Sequence, residues 1–417
     1  MTSAPLKARV LYIVYWGALE PLGQSLVVPA ILRMANLGVA FTLVTFEKPA
    51  DLEREEAVRA LRTSFESAEV RWHPLRYHKT PKWPATAFDS LVAVFTALRL
   101  RMVGGFDVVH ARTFVAGPIG WVVARILGSR FIYHNEGFYP DEQVDGGVWS
   151  RGSLVHRLAK QVETFLYDHA DGMVALSQRA QEVLRARRRV RERRVPVVVV
   201  PSAVDPQLFY PAVKVTGGRG ALRLVYLGSV GFRYRLDAAG RFVVALRRIA
   251  PGSILTVVSR AEASLVESML DASGLPRSAW TLKSLPHSAV PAELRNHDAG
   301  LFFLTEGLSE HGCSPTKVGE YWASGLPVVT TRNVSDIDAI VRSDRVGIVT
   351  SGWDSAALDA AARDLLQLLH DEGLPSRCRK AAVDTYALEP ACERQLRLYT
   401  EVMSRELTST DNRTSPD

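Results

Sequence analysis

Short apolar runs alternate with longer amphipathic segments along this chain, and the alternation runs through once, breaks, and starts again. Strands rich in Val, Ile, Leu, Phe and Tyr that alternate with helical segments indicate parallel sheets with crossover helices. Expected strands in the first half are 10–15, 40–46, 69–75, 107–113, 130–136, 172–177 and 195–201; in the second, 222–229, 253–259, 279–285, 299–305, 326–331 and 346–350. Each set suffices for a doubly wound α/β domain. The break is 201–220, where three prolines and three glycines interrupt the periodicity as a linker does. The expected organisation is therefore one domain over 1–205, a second over 206–390, an amphipathic helix over 391–407 that can cross back to the first, and a disordered polar tail over 408–417. Two such domains leave a cleft at the carboxyl edges of their sheets, where open α/β sheets bind ligands.

Composition narrows the classes. The apolar runs are strand length and fall short of a bilayer span, and the early run after Lys7 and Arg9 lacks the small-residue cleavage site of a signal peptide. Cys313, Cys378 and Cys392 form no metal spacing and suit a reducing, cytoplasmic setting. The net charge of +7 favours anionic partners. Its densest run, Arg185 to Arg194, holds seven arginines in ten residues and reads as a solvated helix end. No aromatics are interleaved with these arginines, so nucleic acid is not the expected partner. A basic, Trp-bearing lead into the apolar segment 76–103 suits an anionic membrane surface, although core packing is the expected use of that helix's apolar residues.

One segment carries most of the chemistry: SPTKVGEYWASGLPVVTT, Ser314 to Thr331. Ser314 can cap a helix, Pro315 suits its first position, Gly325 suits a left-handed exit, and Pro327 bars continuation before a buried strand. The helix follows a strand and a loop, so its N-terminus opens onto the cleft, and unpaired N–H groups there bind phosphate. Lys317 and Glu320, three apart, share a face, so a cation can meet a diphosphate while a carboxylate accepts ribose hydroxyls.

This segment resembles the donor-site signature of glycosyltransferase family four, in the branch reading Ser-Pro-Thr-Lys, two residues, then Glu. The resemblance extends over roughly 6–405. It implies a GT-B fold and retaining transfer of a sugar from a nucleotide sugar, with no cofactor or catalytic metal. It makes Glu320 the ribose ligand and sets Lys317 and the backbone of Ser314, Pro315 and Thr316 around the nucleotide. Many members carry another glutamate eight positions earlier; here that residue is Gly312, with Glu306 and Glu310 nearby. The run after the first donor-domain strand, YLGSVGFRYRLD, resembles the family's glycine loop, with Gly228, Ser229 and Gly231 near the diphosphate and Arg233 or Arg235 neutralising it. Arg260 follows the next strand and can face the same phosphates.

In the first domain, His110 and His134 fall at the carboxyl ends of expected strands. His134 resembles the histidine that contacts the transferred sugar, and His110 with Arg112 matches a neighbouring motif. Asn135 and Glu136 stand where related branches carry other residues, so Glu136, Asp141 and Glu142 are acceptor-side candidates. Gly23 and Gln24 lie in a glycine-containing first turn over the cleft. Glu163 matches a position expected to be structural. Asp336-Ile337-Asp338 looks like a metal motif but is expected to cap its own helix. No phosphate-binding Walker loop, zinc-protease or nucleophile-elbow motif occurs. The expected function is sugar transfer from a nucleotide sugar to a glycan or lipid-linked acceptor in polysaccharide or glycoconjugate synthesis, at or near the inner membrane face. The alternatives are a nucleotide-sugar 2-epimerase of the same fold and a non-catalytic partner of a polysaccharide assembly complex.

Overall fold

The structure is a computed structural model, and it describes residues 8–101, 104–212, 221–231, 233–305, 307 and 309–405. Seven strands form the first sheet: β1 (Arg9–Val14), β2 (Ala40–Glu47), β3 (Arg71–Arg76), β4 (Val108–Arg112), β5 (Arg130–His134), β6 (Gly172–Ala175) and β7 (Val197–Val199). They run parallel in the order β3-β2-β1-β4-β5-β6-β7. The second sheet has β8 (Arg223–Leu227), β9 (Ile254–Val258), β10 (Trp280–Lys283), β11 (Ala299–Phe302), β12 (Val328–Thr331) and β13 (Gly347–Thr350), ordered β10-β9-β8-β11-β12-β13. All thirteen expected strands are present; β1 is shifted by one residue, β2 extends one residue further to Glu47, and the others are shorter than expected.

Helices cover both faces of each sheet, so central strands such as β1 bury nearly every residue. Burying each large aliphatic side chain contributes about 1.5–3 kcal/mol. Strand order reverses between β1 and β4 and between β8 and β11. Those two switch points are where crevices open at the strands' carboxyl ends. The last helix, Leu388–Ser404, begins three residues before the expected start at 391 and packs Ala391, Cys392, Leu398, Tyr399 and Val402 into the first domain's core. The expected tail at 408–417 lies outside the described residues.

Two expectations are corrected by packing. Asp336 makes no cap bond to the helix it precedes, Ile337–Asp344. Its carboxylate instead accepts the backbone N–H groups of Gln178 (2.7 Å) and Arg179 (3.3 Å), capping the first-domain helix Gln178–Ala186 from across the cleft. Asp338 pairs with Arg179 at 3.3 Å in the same contact. Both carboxylates thus bind the domains together, Asp336 at the positive dipole end of the helix Gln178–Ala186 and Asp338 through Arg179.

The second correction concerns the helix Lys82–Leu100. Its inward face is small, with Ala85, Asp89, Ala93 and Ala97 buried, while Phe88, Leu91 and Phe95 are 54%, 70% and 63% exposed. Core packing accounts for Val94 and Leu100 but not for Phe88, Leu91 and Phe95. The arginine run breaks at Arg187 into a separate short helix, Arg188–Glu192, and Arg193 donates to the carbonyls of Asp168 (2.8 Å) and Ala170 (3.0 Å).

Candidate active site

The helix Thr316–Ala323 is held from below by two aromatics. Trp322 donates its indole N–H to the carbonyl of Val346 at 3.0 Å, and the Tyr321 hydroxyl accepts the N–H of Leu227 at 2.9 Å. With Val318, Tyr321 and Trp322 committed to the core, the opposite face, bearing Lys317 and Glu320, turns toward the switch point. Ser314 is not the cap: its hydroxyl accepts the N–H of Ser202, at 3.0 Å, from the interdomain linker. Pro315 precedes the helix rather than starting it, and no side chain caps the N-terminus. Its first N–H groups therefore keep their positive dipole end for a ligand. Gly325, at φ 75°, makes the expected left-handed exit.

Lys317 is half-buried, with its ammonium 4.2 Å from the Tyr234 ring centre, 5.2 Å from Phe302 and 5.9 Å from Tyr226. It forms no ion pair with a carboxylate of the described residues, and burial pulls it down to about 8. A cation held by rings is attracted to them only weakly compared with an anion in a dry site. Gly228, at φ 108°, closes over it: a Cβ there would stand 2.8 Å from Nζ. Diphosphate binding would raise Lys317 again, so nucleotide affinity is expected to be level below pH ~7. Above pH ~8 it is expected to fall, by up to about ten-fold per pH unit. Titration calorimetry across pH 6.5–9.5 checks this; an affinity unchanged to pH ~9.5 contradicts it.

Glu320 is buried and accepts a hydrogen bond from His287 at 3.1 Å. That bond holds the His287 imidazole above its usual range. His287 follows β10 in a short turn after Pro286. It escapes the sequence reading because a single histidine in a connecting segment carries no spacing signal.

The loop after β8 folds back on the end of β11. Tyr234 bridges to Gly231 and Leu304, and the N–H of Thr305 donates to the Arg233 carbonyl at 2.9 Å. This separates the two candidate arginines. Arg235 is taken by Asp237 in a two-pronged pair at 2.8 and 2.7 Å and lies over Trp353, whereas Arg233 is buried in the cleft. There it donates to Ser309 Oγ at 2.8 Å and faces Glu142 of the first domain at 3.4 Å. Ser229 and Arg260 are exposed at the ends of their strands.

In the first domain a buried relay leads toward the cleft. Gln395 Nε2 donates to the Tyr399 hydroxyl at 2.8 Å; Tyr399 meets His110 Nδ1 at 2.9 Å; His110 Nε2 meets His134 Nδ1 at 3.1 Å. Because Tyr399 already accepts from Gln395, its own proton goes to His110, which assigns donors along the line and leaves His134 with its proton on Nε2. Burial, then Arg112, holds both imidazoles well below their usual range, so they stay neutral. His110 is not a cleft residue as expected: it lies mid-strand in β4, and both nitrogens are spent behind His134. Among the described residues His134 Nε2 has no hydrogen-bond partner, and it lies 3.6 Å from Glu136. Glu136 in turn pairs with Arg112, which also donates to the Leu26 carbonyl at 3.3 Å.

The first turn is pinned from beneath. Glu47 accepts the N–H groups of Ala18 (2.7 Å) and Leu19 (3.2 Å), and Gln24 donates its amide to the Ala18 carbonyl at 2.6 Å. Gln24 thus shapes the loop, and Gly23 is packed within it. Glu163 is buried and paired with Lys160, which also reaches Asp141 at 2.9 Å.

The two halves meet at Gly312. A Cβ there would lie 3.0 Å from the Phe138 ring and 3.1 Å from Gly137 Cα, so the loop after β5 closes on the loop that leads to Ser314. A side chain at 312 would require Phe138 or the Gly137 backbone to give way by a few tenths of an ångström. Nearby, Ser309 donates its N–H to Asp145 at 3.0 Å, and Ser177 donates to the His311 carbonyl at 2.7 Å. Glu310 is buried in the same turn, and Glu306 lies outside the described residues. Among the described residues no group of three or more His, Cys, Asp or Glu side chains is placed to hold a metal ion.

Comparison with known proteins agrees with this architecture. Residues 28–208 match the model of Glycosyltransferase Family 4, and residues 221–368 match that of Glycosyl transferases group 1. No curated protein matches. Among solved structures, sucrose-phosphate synthase from Thermosynechococcus elongatus superposes with a TM-score of 0.68 at 14% identity, over 94% of this chain and 99% of that one. Anabaena HepE in complex with UDP-glucose gives 0.65 at 13%, over 94% and 99%. A protein assigned as a UDP-N-acetylglucosamine 2-epimerase from Listeria monocytogenes gives 0.56 at 13%, over 94% and 95%. At such identities these likenesses show the fold alone. The two family models together take in most of both domains, the first beginning after β1 and its loop, and the chain belongs to the GT-B glycosyltransferases, with a family 4 first domain and a group 1 second domain.

Proposed function

We propose that this glycosyltransferase moves a hexose or related sugar from a nucleoside diphosphate sugar to a hydroxyl of a glycan or lipid-linked acceptor, with retention at the anomeric carbon and without a metal, in polysaccharide or glycoconjugate synthesis. The observation that carries the reading is Lys317: a cation in no ion pair with a carboxylate of the described residues, ringed by Tyr226, Tyr234 and Phe302, under Gly228 and at an uncapped helix start. That chemistry suits a diphosphate. The complexes of HepE with UDP and with UDP-glucose support a nucleotide sugar as that anion's source. Retention and metal independence rest on the likeness of the Ser314–Glu320 segment to the family signature.

In this reading Glu320, turned toward the cleft by its helix and held by His287, accepts the ribose hydroxyls. Lys317, the helix N-terminus and Arg233 stabilise the departing diphosphate, where preorganised charge is worth most. His134 offers its Nε2 proton to a sugar hydroxyl and positions the ring; neutral and buried, it is a donor and not a base. Closure across Gly312 excludes water from the donor.

The test is an assay of nucleoside diphosphate release from UDP-, GDP- and ADP-sugars, with and without glycan and polyprenyl-phosphate acceptors. Acceptor-dependent release supports transfer. Epimer formation without acceptor would favour the 2-epimerase reading, to which the Listeria structure is the pointer. Binding with neither outcome would leave a non-catalytic nucleotide-sugar partner.

A further inference from the structure

The helix Lys82–Leu100 turns its small residues inward and its large ones out. Its exposed side carries Trp83 (60%), Phe88 (54%), Leu91 (70%) and Phe95 (63%), a stripe that a water-facing helix does not normally present. The charge around it has one sign. Between residues 76 and 101 the only acidic side chain is Asp89, which points inward, 1% exposed and held by Tyr15 and His78. The exposed cations are Arg76 and Lys79 before the helix and Arg99 and Arg101 at its end. Arg99 lies over the Phe95 ring at 5.8 Å, so a cation borders the apolar stripe directly.

A second apolar group stands in the same layer. The helix Ala116–Leu127 packs against both Lys82–Leu100 and Leu154–His169. At the start of the latter, Leu154 and Leu158 are 65% and 51% exposed, with exposed Arg151 and Arg157 beside them in the chain. Helices that follow parallel strands all begin at the carboxyl edge of the sheet, which is the cleft edge. Both apolar groups therefore lie in one helix layer of the first domain, with Trp83, Leu154 and Leu158 near the cleft edge and the Phe88-Leu91-Phe95 stripe running on from there along its helix. No helix of the described residues is long and apolar enough to cross a bilayer. A helix with an apolar face and a cationic border lies in the plane of the headgroups, its face sunk to the acyl boundary.

We propose that this side of the first domain docks on an anionic phospholipid bilayer, through the Phe88-Leu91-Phe95 stripe and the cations that border it. Docking sets the cleft mouth against the headgroups, where a lipid-linked acceptor is carried in the same plane. The surface shares no residue with the donor site, so its failure leaves the transferase reading standing.

The experiment is co-sedimentation of the full chain with vesicles of equal parts phosphatidylglycerol and phosphatidylcholine, and with phosphatidylcholine alone. The wild type is expected to bind the anionic vesicles at least about ten-fold better, and to lose most of that binding at about 0.5 M salt. The variant Phe88→Ser/Leu91→Ser/Phe95→Ser and the variant Lys79→Glu/Arg99→Glu are each expected to lower binding by about ten-fold or more while nucleotide-sugar binding stays at the wild-type level. Absence of wild-type binding, equal binding to both vesicles, or variants that bind like the wild type would overturn the proposal. So would a wild-type dimer in solution that the triple Ser variant makes monomeric, which would assign the stripe to a second copy of the chain.

Discussion

Lys317→Met is expected to lower turnover with the preferred donor by about 10²–10³-fold, the loss typical when one preorganised donor to developing charge is removed. The fold should survive, because Lys317 anchors nothing: its surroundings are three aromatic rings and the Gly228 backbone, and methionine fills that space without a charge. The comparison that matters is with Lys317→Arg, which keeps a cation but must fit a longer, planar head beneath Gly228. Arginine should recover part of the rate if charge is what the site needs. Steady-state release of nucleoside diphosphate measures both; a methionine variant within about three-fold of wild type would mean that the ammonium does not meet the diphosphate.

Arg112→Ala should have the largest effect on stability, about 3 kcal/mol, because removing one partner of a buried ion pair strands the other. Arg112 is 5% exposed, pairs with Glu136, reaches the Leu26 carbonyl and stacks near Trp16 at 5.7 Å. Its loss leaves Glu136 without its guanidinium, beside the neutral His134 and within reach of the like charge of Glu142. The double variant Arg112→Ala/Glu136→Ala is therefore expected to be more stable than Arg112→Ala alone, since the stranded charge is gone. Urea unfolding followed by tryptophan fluorescence checks the order; a single variant as stable as wild type would show that Glu136 finds solvent instead.

Strand rhythm made the fold legible, because a parallel sheet covered on both faces needs continuous apolar runs, and these recur at strand length between longer amphipathic segments. The helix at Thr316 was legible for the same reason: Pro, Gly and Pro bracket it whatever surrounds it. What pairs across the cleft was not. Asp336 reads as a local cap because sequence shows only its own helix, and the helix it caps begins at Gln178. His287 and Tyr399 reach Glu320 and His110 from distant segments, so no spacing announces them. Gly312 is similar: the sequence shows a missing glutamate, and only the packing against Phe138 and Gly137 gives that absence a physical reason. The exposed face of Lys82–Leu100 was misread because periodicity marks which residues share a face but not whether that face turns inward.

The central claim is that the face carrying Lys317 and Glu320 holds a nucleotide. Its most direct test is a thermal-shift titration of the wild type and Glu320→Ala with UDP-, GDP- and ADP-sugars. At a ligand concentration of about a hundred times the dissociation constant, binding stabilises the native state by ~2.7 kcal/mol. A rise in melting temperature of the wild type with one nucleotide class, largely lost in Glu320→Ala, is the predicted result. Equal shifts in the two proteins, or none in the wild type with any donor, would contradict it.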